Sequence, residues 1–207
     1  MGKKKKDVDP AHLAREKQAW GVSVMVALGV CYEGAGSLIC VEKNVEINGD
    51  VYLGYVKSVY QVDCREFYGN NYISQQDNAP AHTKKEVKAW TNANLPRLLE
   101  PWPASSPDLN VPDFSVWHIL AQHVREVVEE TGITTAVGLK AATRTAVRTL
   151  NGDLPLVRRR VMDFPRRVKA CIDAGGGHFE HKKKQRSEEK FQVLVEEVIL
   201  NAISPPL

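Results

Sequence analysis

The sequence predicts an α/β domain with layered helices, followed by an all-helical C-terminal region. Three observations carry this expectation. Short β-branched runs alternate with stretches of helical periodicity in the order β-β-α-β-α-β-α, and alternation of this kind builds layered α/β domains. After the helix that opens at Asp113, only helical patterns follow. The chain has 207 residues, 43% hydrophobic and 26% charged, enough for one well-cored domain with or without a tail. Fourteen Gly and eleven Pro exclude collagen-like and low-complexity chains, and the apolar content excludes a wholly disordered one.

Residues 1–20 read as a basic tail. Lys3 to Lys6 form a charged run, followed by a turn-prone Asp-Val-Asp-Pro and a short polar helical stretch. The run is read as a charged terminus, with a nuclear localisation signal as the alternative. Trp20 to Tyr32 is rich in β-branched residues and alternates partly at Val22, Val24 and Val26, which predicts a strand. Glu33 to Gly36 is the expected turn, and Leu38 to Val41 the returning strand of a hairpin. After Asn48-Gly49, the apolar positions Val51, Tyr52, Tyr55, Val56 and Val59 recur at helical spacing, with Asn48 as candidate N-cap. Tyr72 to Gln76 is a short strand that stops at Asp77.

Thr83-Lys84-Lys85-Glu86 has the capping-box pattern, so a helix is expected from Thr83. Leu98 to Trp102 is a short apolar strand and Ser105 to Pro112 a loop. From Asp113, the residues Val116, Trp117, Leu120, Val124 and Val127 mark an amphipathic helix ending near Gly132. Thr134 or Thr135 caps the next helix, which Asn151-Gly152 ends. Pro155 to Ala174 is helical with a break expected at Pro165 and a stop at Gly175 to Gly177. Lys182 to Lys190 is a charged linker, and Phe191 to Ile203 a last amphipathic helix.

The longest near-apolar run, Gly21 to Tyr32, has twelve residues, whereas a bilayer span needs roughly 20. Asp7, Asp9 and Glu16 precede it, which argues against a signal peptide. The expectation is a soluble protein, not secreted, with no membrane partner and no small-molecule substrate. Cys31, Cys40, Cys64 and Cys171 form no CxxC pair and lie near no His at zinc-ligand spacing, which fits a reducing compartment. The overall charge is only +3, but residues 140–190 hold 14 Lys and Arg against 6 Asp and Glu, a net +8. Such a segment suggests a polyanionic partner, nucleic acid being the usual one. Its candidate phosphate contacts are Arg158, Arg159, Arg160, Arg166 and Arg167, and binding without sequence preference is expected. The alternative is a solvated helical surface.

Two carboxylates stand out. Asp77 directly follows a strand, in Gln75-Gln76-Asp77-Asn78-Ala79-Pro80-Ala81-His82, and Asp113 opens a helix after Trp102-Pro103-Ala104-Ser105-Ser106-Pro107-Asp108-Leu109-Asn110. Thirty-five residues separate them. A carboxylate at the end of a strand points into the crevice where α/β folds bind ligands, and one at the start of a neighbouring helix can meet it there. Given a third carboxylate, such a pair holds two divalent metals for phosphodiester chemistry. Singly, an Asp in Asp-Asn-x-Pro is a good turn former and an Asp opening a helix is a good cap; the two motifs together carry the argument. His118, His123, His178 and His181 show no fixed metal-ligand spacing and read as surface or capping residues.

Gln-Asp-Asn-Ala-Pro-Ala-His-Thr, then about twenty residues, then Trp-Pro-x-x-Ser-Pro-Asp-Leu-Asn, then an acidic residue and Trp117, resemble the catalytic domain of mariner-type transposases. Val24 to Val26, Leu38 to Glu42 and Asn48 to Tyr52 resemble the family's strand–strand–helix segment. Arg166 to Ile172 with Gly176 to Glu180 resemble the C-terminal end of one mariner branch. The resemblance runs from about residue 20 to residue 181.

It implies an RNase H-like fold, cut-and-paste DNA chemistry, and Mg²⁺ or Mn²⁺ as cofactor. It makes Asp77 and Asp113 the second and third catalytic carboxylates and metal ligands, with Asn78 and His82 shaping the crevice. Ser105, Pro107 and Asn110 would form the loop that aims the last helix. The implied organisation is a basic tail over 1–20, a partial RNase H-like catalytic domain over 21–132, its C-terminal helices over 133–181, and a charged linker with a terminal helix over 182–207.

The chain departs from the family pattern in places. The family's first catalytic Asp lies on a strand before the segment matching Trp20 to Tyr32, and its DNA-reading helix-turn-helix region lies further upstream; the chain is expected to lack both. Ala27 stands where the family often has Trp, and Pro112 stands one place later than the usual Pro. The expected function is therefore a fragment of a mariner-type DNA transposase, weakly metal-binding and inactive alone, with a non-enzymatic DNA-binding remnant or domesticated protein as the alternative. A nuclear location is expected, or a cytoplasmic one if the chain is not imported. With the central strand missing, segments 22–32 and 72–76 are expected to close up and pair antiparallel, or to recruit another chain in solution and give a homo-oligomer.

Overall fold

The computed structural model describes residues 22–177 and 179; the expected N-terminal tail, charged linker and terminal helix lie outside them. The elements begin with four two-residue strands, β1 (Val26–Ala27), β2 (Val30–Cys31), β3 (Gly34–Ala35) and β4 (Ile39–Cys40). Next come α1 (Gly49–Tyr55), a π-helical turn (Val56–Tyr60) and α2 (Gln61–Tyr68) in one continuous run. α3 (Lys85–Asn94), a 3-10 turn (Pro107–Leu109) and a second π turn (Pro112–Val116) precede three long helices. These are α4 (Trp117–Thr131), α5 (Ala136–Gly152) and α6 (Leu154–Asp173).

The first predicted strand is present but bends at Leu28-Gly29 and serves two partners. β1 pairs antiparallel with β4 in the register Val26 opposite Cys40. β2 pairs antiparallel with β3 across a turn at Tyr32-Glu33, so Gly34-Ala35 belongs to a strand rather than to the expected turn. Gly34 has φ +138, which side-chain-bearing residues rarely adopt, and a Cβ there would sit 3.0 Å from Asn151 Oδ1. That closeness has a use. Asn151, in the last turn of α5, accepts from the Ala35 N–H at 2.8 Å and donates to the Ala35 carbonyl at 2.8 Å, tying the hairpin to the helices.

The segments at 72–76 and 98–102 are shorter as strands than expected, meeting at one parallel bridge, Ser74 to Leu98. Segments 22–32 and 72–76 do not pair: among the described residues β1 bonds only to β4, and Ser74 only to the 97–99 segment. Met25 and Ile73, one on each segment, are both exposed, so the two do not cover each other. The expected antiparallel closure is thus corrected. Each segment already has a partner, and the helical crossover over 49–68 lies between them instead of the tight turn that joins antiparallel neighbours.

The helices follow their local signals with two exceptions. Asn48 accepts from the N–H groups of Asp50 and Val51 at 3.0 Å, and Thr135 from that of Gly138 at 3.1 Å. Gly132, with φ +64, closes α4. The capping box at Thr83 does not form. The Thr83 hydroxyl donates to the Ala79 and Pro80 carbonyls instead, and α3 starts at Lys85 without a side-chain cap. Nor does Pro165 break α6, which runs through it to Asp173.

The main core lies where α4 and α5 pack on each other and on the hairpin. It comprises Leu28, Ala35, Val111, Val116, Leu120, Ala146, Val147, Leu150 and Val157, with Val161 and Phe164 against it. Burying side chains of this size is worth about 1.5–3 kcal/mol each. The packing of Val157, Val161 and Phe164 just before Pro165 therefore outweighs the lost backbone bond. No helix among the described residues is long and apolar enough to cross a membrane.

Candidate active site: two carboxylates on one cleft

The parallel bridge sets up the site. Ser74 N–H donates to the Arg97 carbonyl at 2.9 Å and the Leu99 N–H to the Ser74 carbonyl at 2.9 Å, so the segments leading to Asp77 and Trp102 run side by side. Just past the bridge the Asn78 side-chain amide donates to the Trp102 carbonyl at 2.8 Å and locks the two segment ends together. Asp77 then turns the chain: its Oδ1 accepts from the Ala79 N–H at 3.0 Å, the turn expected of Asp-Asn-x-Pro.

Asp113 arrives from the other side, in the first turn of the helical run that continues into α4. Asn110 caps that run with its carbonyl, which accepts from the Asp113 and Phe114 N–H groups at 2.9 and 3.0 Å. Its side chain does more. The Asn110 amide nitrogen donates to Asp113 Oδ2 at 2.8 Å, while its amide oxygen accepts from Gln75 Nε2 at 3.1 Å. One side chain thus links the strand segment that ends at Asp77 to the carboxylate of Asp113. A cleft of about 210 Å³ is lined by both Asp77 and Asp113, together with Asn78, Trp102, Ser105, Pro107 and Asn110. A second, of about 350 Å³, adjoins it and shares Asp77, Asn78 and Trp102; it is also lined by His82, Lys88 and Glu100.

Each carboxylate keeps one oxygen without a hydrogen bond among the described residues, Oδ2 of Asp77 and Oδ1 of Asp113. The free donors are therefore two hard oxygens, the type that suits Mg²⁺ and Mn²⁺. Among the described residues no group of three or more His, Cys, Asp and Glu could hold a metal ion. The pair fits an ion that keeps several waters or substrate oxygens, as Mg²⁺ commonly does.

The predicted basic residues divide. Arg159 and Arg160 are exposed on α6, and Arg166 is exposed while paired with Asp163. Arg158 is half-buried, bonded to Glu33 at 2.8 Å and stacked over Tyr32 at 4.8 Å. Arg167 is a correction. It is only 4% exposed, its guanidinium lies 3.9 Å from the Phe114 ring centroid and 5.5 Å from that of Phe179, and its Nε donates to the Asp108 carbonyl. Desolvated and committed to backbone and aromatic partners, it is unavailable to a phosphate. It instead holds the turn that presents Asp113. His118 is exposed and His123 pairs with Glu126 at 3.2 Å, while His178 and His181 lie outside the described residues.

Sequence reasoning missed Tyr52 and Gln75. Tyr52 stacks on His82 with ring centroids 3.9 Å apart, and its hydroxyl donates to Gln76 Oε1 at 2.7 Å. Burial first, then the nearby Tyr60 and Asp77, holds its phenol protonated well above the ordinary range. In the sequence Tyr52 is one apolar position of a helix among several, and only Gln75's place two residues before Asp77 hinted at a role.

The fold is helix-rich and RNase H-like, with a small sheet. No family model matches the chain. It is 32% identical over 126 residues, 61% of this chain and 43% of the relative, to the transposable element Tcb1 transposase of Caenorhabditis briggsae. It is 30% identical over 108 residues, 52% of this chain and 37% of the relative, to the Tc1 transposase of Caenorhabditis elegans. The chain thus spans less than half the length of these relatives.

Among solved structures it is similar to the catalytic domain of Mos1 mariner transposase, with a TM-score of 0.64, 19% identity and 76% of each chain covered. It is also similar to the Mos1 transposase in its paired-end complex with the left transposon end, with a TM-score of 0.68, 21% identity, and 86% of this chain and 52% of that one covered. Other Mos1 structures hold Mn or Mg. The chain is similar to these transposases over less than half of their length and has the fold of the Mos1 catalytic domain.

Proposed function

We propose that this chain supplies two of the carboxylates of a metal-dependent DNA-cleaving and strand-transferring centre of the mariner type. The observation that carries the reading is the convergence of Asp77 and Asp113 on one cleft, each with a single unbonded oxygen. Asp77 Oδ2 and Asp113 Oδ1 would hold Mg²⁺ or Mn²⁺, which when bound activates a water or hydroxyl nucleophile and offsets charge on the phosphodiester.

The chain's own residues supply the rest. Asn110 holds Asp113 at a fixed distance from the segment bearing Asp77 through its bond to Gln75. Asn78 keeps the Trp102 segment against the same cleft and so shapes its wall. The exposed Arg159 and Arg160 offer sequence-independent contacts to the phosphates of a DNA partner. With two carboxylates and no third ligand among the described residues, the centre is expected to bind one ion weakly and not to cut DNA at a useful rate on its own.

Mn²⁺ titration followed by electron paramagnetic resonance of the free ion tests the reading, comparing the full chain with Asp77→Asn and Asp113→Asn. Weak binding lost in either variant supports it. Binding unchanged in both sinks it.

A further inference from the structure

We propose that His82 is a positioning residue that fixes the Asp77 carboxylate as a one-oxygen ligand, a role that deepens the cleft reading above and rests on it. His82 Nδ1 lies 2.7 Å from Asp77 Oδ1 and 3.2 Å from the Asp77 carbonyl oxygen. Both neighbours are acceptors, so Nδ1 must carry a proton. The Ala79 N–H is hydrogen-bonded to Oδ1 at 3.0 Å and His82 Nδ1 stands at ion-pair distance from the same oxygen, while no group among the described residues bonds Oδ2. The carboxylate is thereby divided into an anchored oxygen and an available one.

The ring that does this is itself held. Tyr52 stacks on it at 3.9 Å with the planes tilted by 32°, and the Tyr52 hydroxyl is bonded at 2.7 Å to Gln76, the residue next to Asp77. The chain Gln76–Tyr52–His82–Asp77 therefore closes on itself and joins α1 to the end of the strand segment. Rotation of the Asp77 side chain would give up the close Nδ1–Oδ1 contact to a ring that Tyr52 and the Asp77 carbonyl hold in place. Orientation of a ligating carboxylate by such an outer partner commonly changes metal affinity by about 10- to 100-fold.

Two measurements on the full chain test this. Long-range ¹H–¹⁵N correlation of the imidazoles, with His82 assigned by its loss in His82→Asn, reads the tautomer with no metal present. The Nδ1–H form is expected in the wild type, and its Nδ1–H resonance is expected to shift when Asp77 is replaced by Ala, which removes the facing Oδ1 and leaves the backbone carbonyl in place. An Nε2–H tautomer in the wild type overturns the proposal whether or not the cleft binds metal. Mn²⁺ titration then reads the consequence. His82→Ala is expected to weaken binding about tenfold, and His82→Asn, which keeps a short N–H donor, to restore most of it. Equal affinity in the wild type and His82→Ala, with Asp77→Asn abolishing binding, also overturns it. Loss of Mn²⁺ binding in none of the variants refutes the cleft reading and leaves the tautomer to decide the His82 bond. A native circular dichroism melting curve for each variant keeps misfolding from mimicking any of these results.

Discussion

Replacing Arg167 by Ala tests whether the turn that presents Asp113 is held by one buried guanidinium. Arg167 bonds to the Asp108 carbonyl and lies against two aromatic rings, and it shares Asp163 with Arg166. A hydrogen bond from a charged donor is worth about 1.5–3 kcal/mol, and a desolvated cation–π contact about 2 kcal/mol. Truncation also leaves a void beside Phe114. Removing one partner of a buried ionic cluster typically costs about 3–5 kcal/mol, and Arg166 remains to neutralise Asp163, so a loss of about 3–4 kcal/mol is expected. Urea unfolding reads it as a midpoint lowered by about 1–3 M with little change in slope.

Arg167→Met, which fills the space without the charge, is expected to lose less, because the cost of desolvating the guanidinium disappears with it. An Arg167→Ala loss below about 1 kcal/mol, or a Met variant as unstable as Ala, refutes the reasoning: the first would show the contacts to be idle, the second that restored volume and relief from desolvation do not offset the lost hydrogen bond.

Four further outcomes are expected. Asn151→Ala orphans both backbone groups of Ala35 and should destabilise the chain by about 2 kcal/mol in the same urea assay. Binding to a random-sequence duplex should weaken as salt rises, with the log–log slope falling by about 0.9 for each of Arg159 and Arg160 replaced by Ala; an unchanged slope in the double variant would exclude them as phosphate contacts. Plasmid incubated with the chain and Mn²⁺ should stay supercoiled, and nicking that Asp77→Ala abolishes would show a complete centre after all. Burial, with Cys31 and Asp63 nearby, pushes the Cys64 thiol from 9.0 to about 11. The unfolded thiol therefore ionises first, the folded state holds more protons above pH 9, and this contribution to stability falls between pH 9 and about 11. Cys64→Ser should flatten that part of a pH–stability profile, and an identical profile would contradict the shift.

The parts of the fold that were legible in the sequence are those fixed by local chemistry. Asn48 and Thr135 cap helices because a side-chain oxygen meets nearby N–H groups whatever the tertiary structure. Where a signal depends on distant partners, it misled. Thr83 is the local exception: it had the right neighbours for a cap, but its hydroxyl bonds to the carbonyls of Ala79 and Pro80, just before it in the chain. Pro165 was read as a break because the packing of Val157, Val161 and Phe164 is invisible locally. The β-branched run at 22–32 promised one strand, whereas the approach of β4 and the turn at Tyr32 split it between two partners.

At the site, the Asp77 and Asp113 motifs were legible and the structure brings both onto one cleft. The scaffolding was not. Tyr52, Gln75 and Arg167 act across separations of 24 to 59 residues, and Arg167 in particular looked like surface charge because sequence carries no burial.

The π turn at Pro112–Val116 bears on how spacing between acidic residues should be counted. Such a turn is an α-helical turn that has absorbed one residue too many. Pro112, which stands one place later than in the mariner pattern, falls at its first position. The turn widens the helix locally where it begins, and Asp113, its second residue, lines the cleft with Asp77. Pitch as well as residue count therefore sets how the helix carries Asp113 into the cleft. Deleting a single residue between Val111 and Val116 is accordingly expected to convert the turn to regular α-helix, a change visible as an altered pattern of amide protection confined to the start of α4.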